Sequence, residues 1–478
     1  MNPKKILSDT SVSLVRSVIV LVRGLILIPI ITKISGAGAY GIWTVVLSIV
    51  TVIVTVGSVH SHGTLVRYAD SSESAREVGS EVLFISLGGV ALVTLLYIFT
   101  EISVGIASIQ PTFQSQGLFL LSLSFLILGE SLFSVLKNIP RAQGRVKVYE
   151  LLWISRKVVE VTVLGAIFSI TSDIVIAIVA MGVVIFLFDV ALFLKFKMSL
   201  HVPSRARFKK YLHYGTPMIP KELSGTLLSH GDKFIILYFL SPTAVGIYAV
   251  SYSVSKTIYA LSGVMNSTLY PSVTSAWDED DRNSIRNLYT QILRIYTIIA
   301  LPAIVGMTLL AEPVLKLIST ESVAGTGGVL LPLLAVGFLI YGYSSPLMYI
   351  LHAAEQNTKV GFITTIAMIM NIALNLILVP NYELLGAVAA TILSFTAITT
   401  YVGYSSWSKV KFSIPIKAGT YAVVGTVVMT VILLAIPVQG PLQVVVYPTL
   451  GAPVYFVIVF LVGGIKKQEL TWLKKTIL

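Results

Sequence analysis

Residues 11–34, SVSLVRSVIVLVRGLILIPIITKI, form an apolar run long enough to cross a bilayer, and the run carries two arginines. Arg16 and Arg23 are seven residues apart, so a helix places both guanidiniums on one face, with Arg23 near mid-depth. A charge at the bilayer centre costs at least ~2.5–3.5 kcal/mol, so neither arginine is expected to face lipid. Two readings follow. Either Arg16 snorkels to the headgroups and Arg23 is neutralised inside the bundle, or both line a cationic cavity for an anionic substrate.

The rest of the chain fits a membrane-embedded bundle. Of 478 residues, 55% are hydrophobic and only 12% charged, with a mean hydropathy of +0.88. That composition excludes an ordinary soluble core and predicts an all-α polytopic membrane protein. The net charge of +12 would suggest nucleic acid in a soluble protein. Here the Lys and Arg fall mainly between apolar spans, where orientation explains them and no nucleic-acid partner is expected. The chain has no cysteine, and its six histidines show no spacing of the HExxH type. His60 and His62 stand i,i+2 at a span end and read as interfacial rather than metal-binding. No nucleotide-cradling glycine loop or metal cluster is present, so the expectation is a non-enzymatic secondary transporter without a cofactor. The first span lacks a cleavage-type flank and is expected to remain as a helix.

Fourteen spans are expected, near 11–34, 40–62, 79–101, 115–138, 150–172, 173–197, 212–240, 243–268, 289–311, 326–352, 360–380, 383–407, 414–436 and 441–463. Alternate connections then hold 24 Lys and Arg, and the opposite connections only Lys33 and Lys316. The positive-inside rule puts the charged connections and both termini in the cytoplasm, giving a multi-pass protein of the cell membrane.

Two turns are similar, Gly36-Ala-Gly-Ala-Tyr-Gly41 and Pro242-Thr-Ala-Val-Gly246, with Gly41 and Gly246 offset by 205 residues. A second pair, Ala142 to Lys147 and Ala354 to Lys359, is offset by 212. The offsets predict a repeat of six spans, even in number, whose halves share orientation and are related by a pseudo-twofold axis along the membrane normal. The expected organisation is an N-terminal lobe at 1–197, a basic linker at 198–211, a second lobe at 212–407, and two added helices with a basic tail at 408–478. Arg16 shifted by 205 lands on Lys221 in span 7, which also carries Pro217 and Pro220 and is expected to be discontinuous there. Glu222 is the alternative, neutralising partner of Lys221.

GAGAYGIW at 36–43, GDKFIILYFLSPTAVGIYAVSYSV at 231–254 with Pro271 ending span 8, and the two AxxxxK turns together resemble the multidrug/oligosaccharidyl-lipid/polysaccharide (MOP) exporter superfamily. Within it, the chain resembles the polysaccharide transporters that include O-antigen flippases. The resemblance implies two six-helix lobes around a cavity that opens alternately to either side. It further implies movement of an anionic lipid-linked oligosaccharide, a polyprenyl phosphate or pyrophosphate glycan, from inner to outer leaflet. Arg16, Arg23, Lys221 and Lys256 are the expected substrate contacts, since Arg grips phosphate bidentately and Lys as a point charge. Asp232 is either an ion pair with Lys233 or, with Asn371, Asn375 and Thr391, a hard-cation site similar to the sodium site of precursor-flippase relatives. In that second reading the proximity of spans 7 and 11 comes from the resemblance. Proton coupling through Glu130 or Asp189 is the alternative to Na+.

Arg156 and Glu160, i,i+4 in span 5, are expected to pair, and Glu130 and Asp189 to join a structural network with Arg16. Expected partners are membrane lipid, the glycan substrate, and a glycan polymerase or glycosyltransferases of the same pathway. The competing functions are a multidrug cation exporter of the same superfamily, which tends to use a carboxylate in its first helix, and a non-transporting membrane scaffold.

Overall fold

A computed structural model describes residues 3–69, 74–104, 116–438 and 440–464. The chain opens with α1 (Pro3–Gly57), α2 (Ser61–Tyr68), α3 (Ser74–Val104), α4 (Gln116–Leu136), α5 (Asn138–Ala142), α6 (Val146–Phe168) and α7 (Ile174–Lys195). It continues through α8 (Arg205–Gly215), α9 (Ile219–Phe239), α10 (Pro242–Ser255), α11 (Thr257–Asp278), α12 (Arg282–Ile318) and α13 (Glu321–Ala353). It closes with α14 (Asn357–Lys409), α15 (Ile416–Leu434) and α16 (Gln443–Leu461). No strand occurs among the described residues. Nine of the described spans are long and apolar enough to cross a membrane.

Two of these helices each contain a turn that divides them into two segments. Gly36 has φ of +85°, open to glycine and costly to other residues, so α1 turns there into segments 3–35 and 37–57. Glu383, with φ of +51° and three residues after Pro380, turns α14 into 357–382 and 384–409. Counting α10 and α11 as one segment interrupted at Lys256, the described helices are consistent with fourteen spans in the expected order.

Two local expectations need correction. Pro271 does not end span 8, because α11 runs on to Asp278 and the break lies at Lys256 instead. Span 7 is not opened at mid-depth by its prolines. Pro217 sits in a 3-10 turn, Thr216–Met218, and Pro220 in the first turn of α9, where a missing N–H leaves no helical bond unmade. The prolines start this helix. The basic linker is also ordered in part: α8 is capped by Ser204, whose Oγ accepts from Arg207 N at 3.3 Å, and it docks on α3. There Arg207 bridges Glu77 and Glu81, and Tyr211 donates to Glu81 at 2.8 Å. Burial and that carboxylate push the Tyr211 hydroxyl up, so it remains a donor.

By packing, residues 1–249 with 364–383 form one compact unit, and 250–363 with 384–478 a second. In the first unit a core of Leu65, Val82, Leu83, Phe133, Leu136 and Leu192 joins α2, α3, α4 and α7. Segment 37–57 lies antiparallel to α9: Ser48 bonds His230 at 2.9 Å, Thr55 meets Thr226 at 3.3 Å, and His60 meets Glu222 at 2.5 Å. Segment 364–383 instead runs parallel to α9. Ser224 meets Thr365 at 2.8 Å, and a Cβ placed on Gly231 would lie 3.9 Å from Ile372 Cγ1, so both contacts differ by 141 in sequence. Antiparallel for spans 2 and 7 and parallel for 7 and 11 are the directions that the span count requires. Ser35 Oγ also donates to Ser172 O at 2.6 Å, joining two connections expected on the same side.

In the second unit α15 and α16 pack on α12 through Ile298, Ala422, Met429, Leu433 and Val459, and the Tyr455 hydroxyl donates to Ile298 O at 2.6 Å. Outward faces such as Leu92, Leu95, Leu96 and Phe99 on α3 stay exposed, as lipid contact requires.

Candidate functional site

The charges on α4, α6, α7 and the first segment of α1 meet in two linked groups. In α6 the run Arg156-Lys157-Val-Val-Glu160 sends Arg156 and Lys157 in different directions. Arg156, 2% exposed, donates through Nη1 to Glu130 at 2.8 Å on α4 and through Nη2 to Asp189 at 3.3 Å on α7. Its guanidinium lies 4.4 Å from the Phe133 ring centroid, a cation–π contact that covers the planar face. The second group centres on Glu160, whose Oε2 stands 2.7 Å from Arg23 Nε and 2.9 Å from Lys157 Nζ.

The expected Arg156–Glu160 pair is therefore replaced. Spacing alone favoured it, but α4 and α7 offer Arg156 two carboxylates from other helices, and Glu160 turns to Arg23 and Lys157. Glu130 and Asp189 do form a structural network, with Arg156 at its centre; the side chain of Arg16 lies outside the described residues. Lys157 was the member that span-by-span reading passed over. Its signal was available, since it stands i,i+3 from Glu160.

Lys137 lies 4.7 Å over the Trp153 ring at the edge of this group. Arg23, Lys137, Arg156 and Lys157 face Glu130, Glu160 and Asp189, so the cluster carries a formal excess of one positive charge. A buried pair stripped of one partner costs ~3–5 kcal/mol, which makes this a rigid scaffold. Arg23 is partly accessible: its side chain keeps 19% exposure, against 13% for Lys157 and 3% for Arg156. A guanidinium with five donors retains free ones after its Nε meets one carboxylate.

The other expected substrate contacts are placed differently. Lys221 is exposed in the first turn of α9, and Glu222 beside it turns to His60 and His62 rather than to Lys221. Lys256 is exposed in the second unit at the break between α10 and α11, 5.9 Å from the Tyr252 ring.

Of the expected cation ligands, Asp232 is buried on α9 with Oδ1 accepting from Lys233 N at 2.8 Å and standing 3.4 Å from Lys233 Nζ. The 141-residue offset between α9 and segment 364–383 sets Asp232 level with residue 373, between Asn371 and Asn375. Both asparagines are buried, and Asn375 Nδ2 donates to Asn371 O at 2.8 Å and to Asn371 Oδ1 at 3.2 Å. Asn375 Oδ1 has no hydrogen-bond partner although it is fully buried. A buried orphan acceptor beside a carboxylate-bearing helix is what a small hard cation satisfies. Thr391 is buried in the second unit.

A family described as polysaccharide biosynthesis protein matches residues 34–324. The probable flippase AglR of Haloferax volcanii is 29% identical over 243 residues, 50% of this chain and 51% of that protein. The probable low-salt glycan biosynthesis flippase Agl15 of the same organism is 24% identical over 220 residues, 46% of each. The chain spans about half the length of the curated relatives it matches. Among solved structures, the lipid II flippase MurJ in an inward closed conformation superposes with a TM-score of 0.73 at 17% identity, covering 94% of this chain and 97% of that one. An inward-facing multidrug resistance MATE family transporter of the MOP superfamily gives 0.65 at 15% identity, covering 83% and 94%. At these identities the likeness is one of fold.

Proposed function

This chain belongs to the polysaccharide biosynthesis protein family, and from that membership we propose that it is a flippase for an anionic lipid-linked oligosaccharide. The observation that carries the reading is Arg23, a partly exposed guanidinium near the middle of a membrane-crossing segment, held in place by Glu160. The flippases named among the relatives support the transport class.

In this reading Arg23, with Arg16 on the same helix face, takes the phosphate or pyrophosphate of a polyprenyl-linked glycan, and Lys221 of the same unit adds positive field. Glu160 and Lys157 fix the Arg23 side chain, so the guanidinium is preorganised before the lipid arrives. The positive excess of the cluster favours an anion and disfavours the cationic drugs of the alternative exporter reading. Transport proceeds by alternating access in the cell membrane, with both termini cytoplasmic. Glycosyltransferases supply the lipid-linked glycan on the inner face, and a polymerase takes it up outside.

Asp232, Asn371 and Asn375, all in the first unit, form the coupling-cation site in this proposal. The orphan Asn375 Oδ1 supports Na+, which would take oxygen ligands from the two asparagines and Asp232. Na+ supplies only charge and free energy from its gradient. Lys233 competes for Asp232, so occupancy is tied to whether that lysine stays at 3.4 Å.

The deciding experiment is reconstitution of purified protein in vesicles with a defined lipid-linked sugar on one leaflet, followed by its appearance on the other. Transport that ignores the phosphate, or equal transport of organic cations, overturns the proposal.

A further inference from the structure

Directly after α1 the backbone is strained. Val59 and His60 both take left-handed conformations, with φ of +49° and +55°, at ~1–3 kcal/mol each for non-glycine residues. The strain turns two imidazoles towards the first turn of α9. His60 Nδ1 stands 2.5 Å from Glu222 Oε1, and His62 Nε2 stands 3.5 Å from the same oxygen. The two rings meet edge to face with centroids 4.5 Å apart. Gly63 makes room for this arrangement, since a Cβ there would lie 1.9 Å from His60 Nε2. All three donor atoms fall within 4.8 Å of one another, although Glu222 is 162 residues from His60.

We propose that His60 Nδ1, His62 Nε2 and Glu222 Oε1 bind one divalent transition-metal ion of the zinc class. Two imidazoles and one carboxylate are a borderline donor set, suited to Zn2+ and poorly suited to Mg2+ or Ca2+. At metal–ligand distances of ~2.0–2.1 Å, tetrahedral neighbours stand about 3.3–3.4 Å apart. The His62–Glu222 separation already meets that value. The His60–Glu222 hydrogen bond has to open by less than about 1 Å, with the ion taking the place of the shared proton. Three protein ligands leave a fourth position for water. Lys137 and Arg141 repel a dication here, as they act electrostatically on His62, so the affinity is lower than that of a closed structural zinc site. The ion pins the strained turn to the start of α9 and closes a long loop, which raises stability and restrains the movement of α9 against α1.

The test uses tag-free full-length protein, stripped with chelator and titrated with Zn2+ by calorimetry and by thermal unfolding. Wild type binds one Zn2+ saturably and its Tm rises, while Mg2+ at the same concentration does neither. Glu222→Gln and His60→Ala each weaken binding by more than about tenfold, since even outer-shell changes cost ~10–100-fold. His62→Gln does the same while keeping the His60–Glu222 hydrogen bond, so loss of binding in a variant with the wild-type metal-free Tm is not loss of fold. Absence of saturable uptake by wild type, or uptake unchanged in His62→Gln, shows a hydrogen-bonded cluster only and overturns the proposal.

Discussion

Gly41 and Gly246 pack backbone against backbone in a reciprocal contact: a Cβ on Gly41 would lie 2.0 Å from Pro242 O, and one on Gly246 would lie 1.9 Å from Ala37 O. Ala37 and Pro242 are offset by the same 205 residues as the two glycines. Residue i of one turn thus touches residue j of the other, and j touches i, which is the signature of a twofold relation. The two sequence motifs that suggested an internal repeat meet each other across its pseudo-axis.

Gly41→Ala and Gly246→Ala each force backbone apart, because the atom met is a carbonyl oxygen and not a flexible side chain. Each is expected to lower stability by at least ~1–3 kcal/mol, the usual cost of overpacking. Gly225→Ala on α9 has open space around it and is expected to be neutral or slightly stabilising. Thermal unfolding of the three purified variants checks this, and a Tm for Gly246→Ala equal to that of Gly225→Ala contradicts it.

Arg156→Gln strands the fully buried Asp189 inside the first unit, while Glu130 keeps 35% exposure to solvent, and is expected to cost ~3–5 kcal/mol, visible as low yield or early unfolding. Arg156→Gln combined with Asp189→Asn removes the stranded charge and recovers part of the loss. No recovery in the double variant means the pair is not coupled as the distances imply.

Arg23→Ala is expected to abolish glycan transport at normal protein level. Glu160 keeps Lys157 at 2.9 Å when Arg23 is removed, so the fold retains a neutralised carboxylate. Arg23→Lys keeps the charge without the bidentate fork and should transport partially. Transport by Arg23→Ala at the wild-type rate refutes the role given to this arginine.

The spans were legible because an apolar run of about 20 residues has few uses other than crossing a bilayer, and the described helices follow the order that hydropathy and charge alternation predict. The start of α9 was misplaced although its signal was present: Pro217 and Pro220 are residues that begin helices, and hydropathy alone extended the span over them. The partners of Arg23, Arg156 and Glu222 were harder to read. Local spacing offered Arg156–Glu160 and Lys221–Glu222, and those lost to carboxylates and histidines brought in by other helices. Buried charges choose partners by three-dimensional proximity, which the sequence pattern of one helix does not contain.

Orientation is checked by labelling single cysteines in this cysteine-free chain. Ser172, hydrogen-bonded through its carbonyl to Ser35, lies on a connection poor in positive charge, and a cysteine there is expected to label from outside. Cysteines at Ser204, which caps α8, and at Asn283, at the start of α12, are expected to stay protected in intact cells. External labelling at Ser204 reverses the orientation.

If the cargo is the anionic lipid proposed above, energy coupling follows from its charge. An inside-negative potential drives negative charge outward by about 2.3 kcal/mol per unit charge per 100 mV, which helps the loaded step and hinders return of the empty cationic carrier. A cation entering down its gradient resets the carrier only if it binds one conformation more tightly than the other. Asp232 sits level with Asn371 and Asn375 on parallel neighbouring segments, and Asn375 Oδ1 is buried without a partner, so Na+ binding is expected to raise the Tm of wild type. Asp232→Asn removes the charge that opposes Lys233 and should abolish the Na+-dependent rise while leaving binding of the lipid-linked glycan intact. Lys233→Gln frees the Asp232 carboxylate and should tighten Na+ binding. If neither Tm nor transport of the wild type responds to Na+, the site is not a sodium site, and coupling by protons through Glu130 or Asp189, or by the potential alone, takes its place.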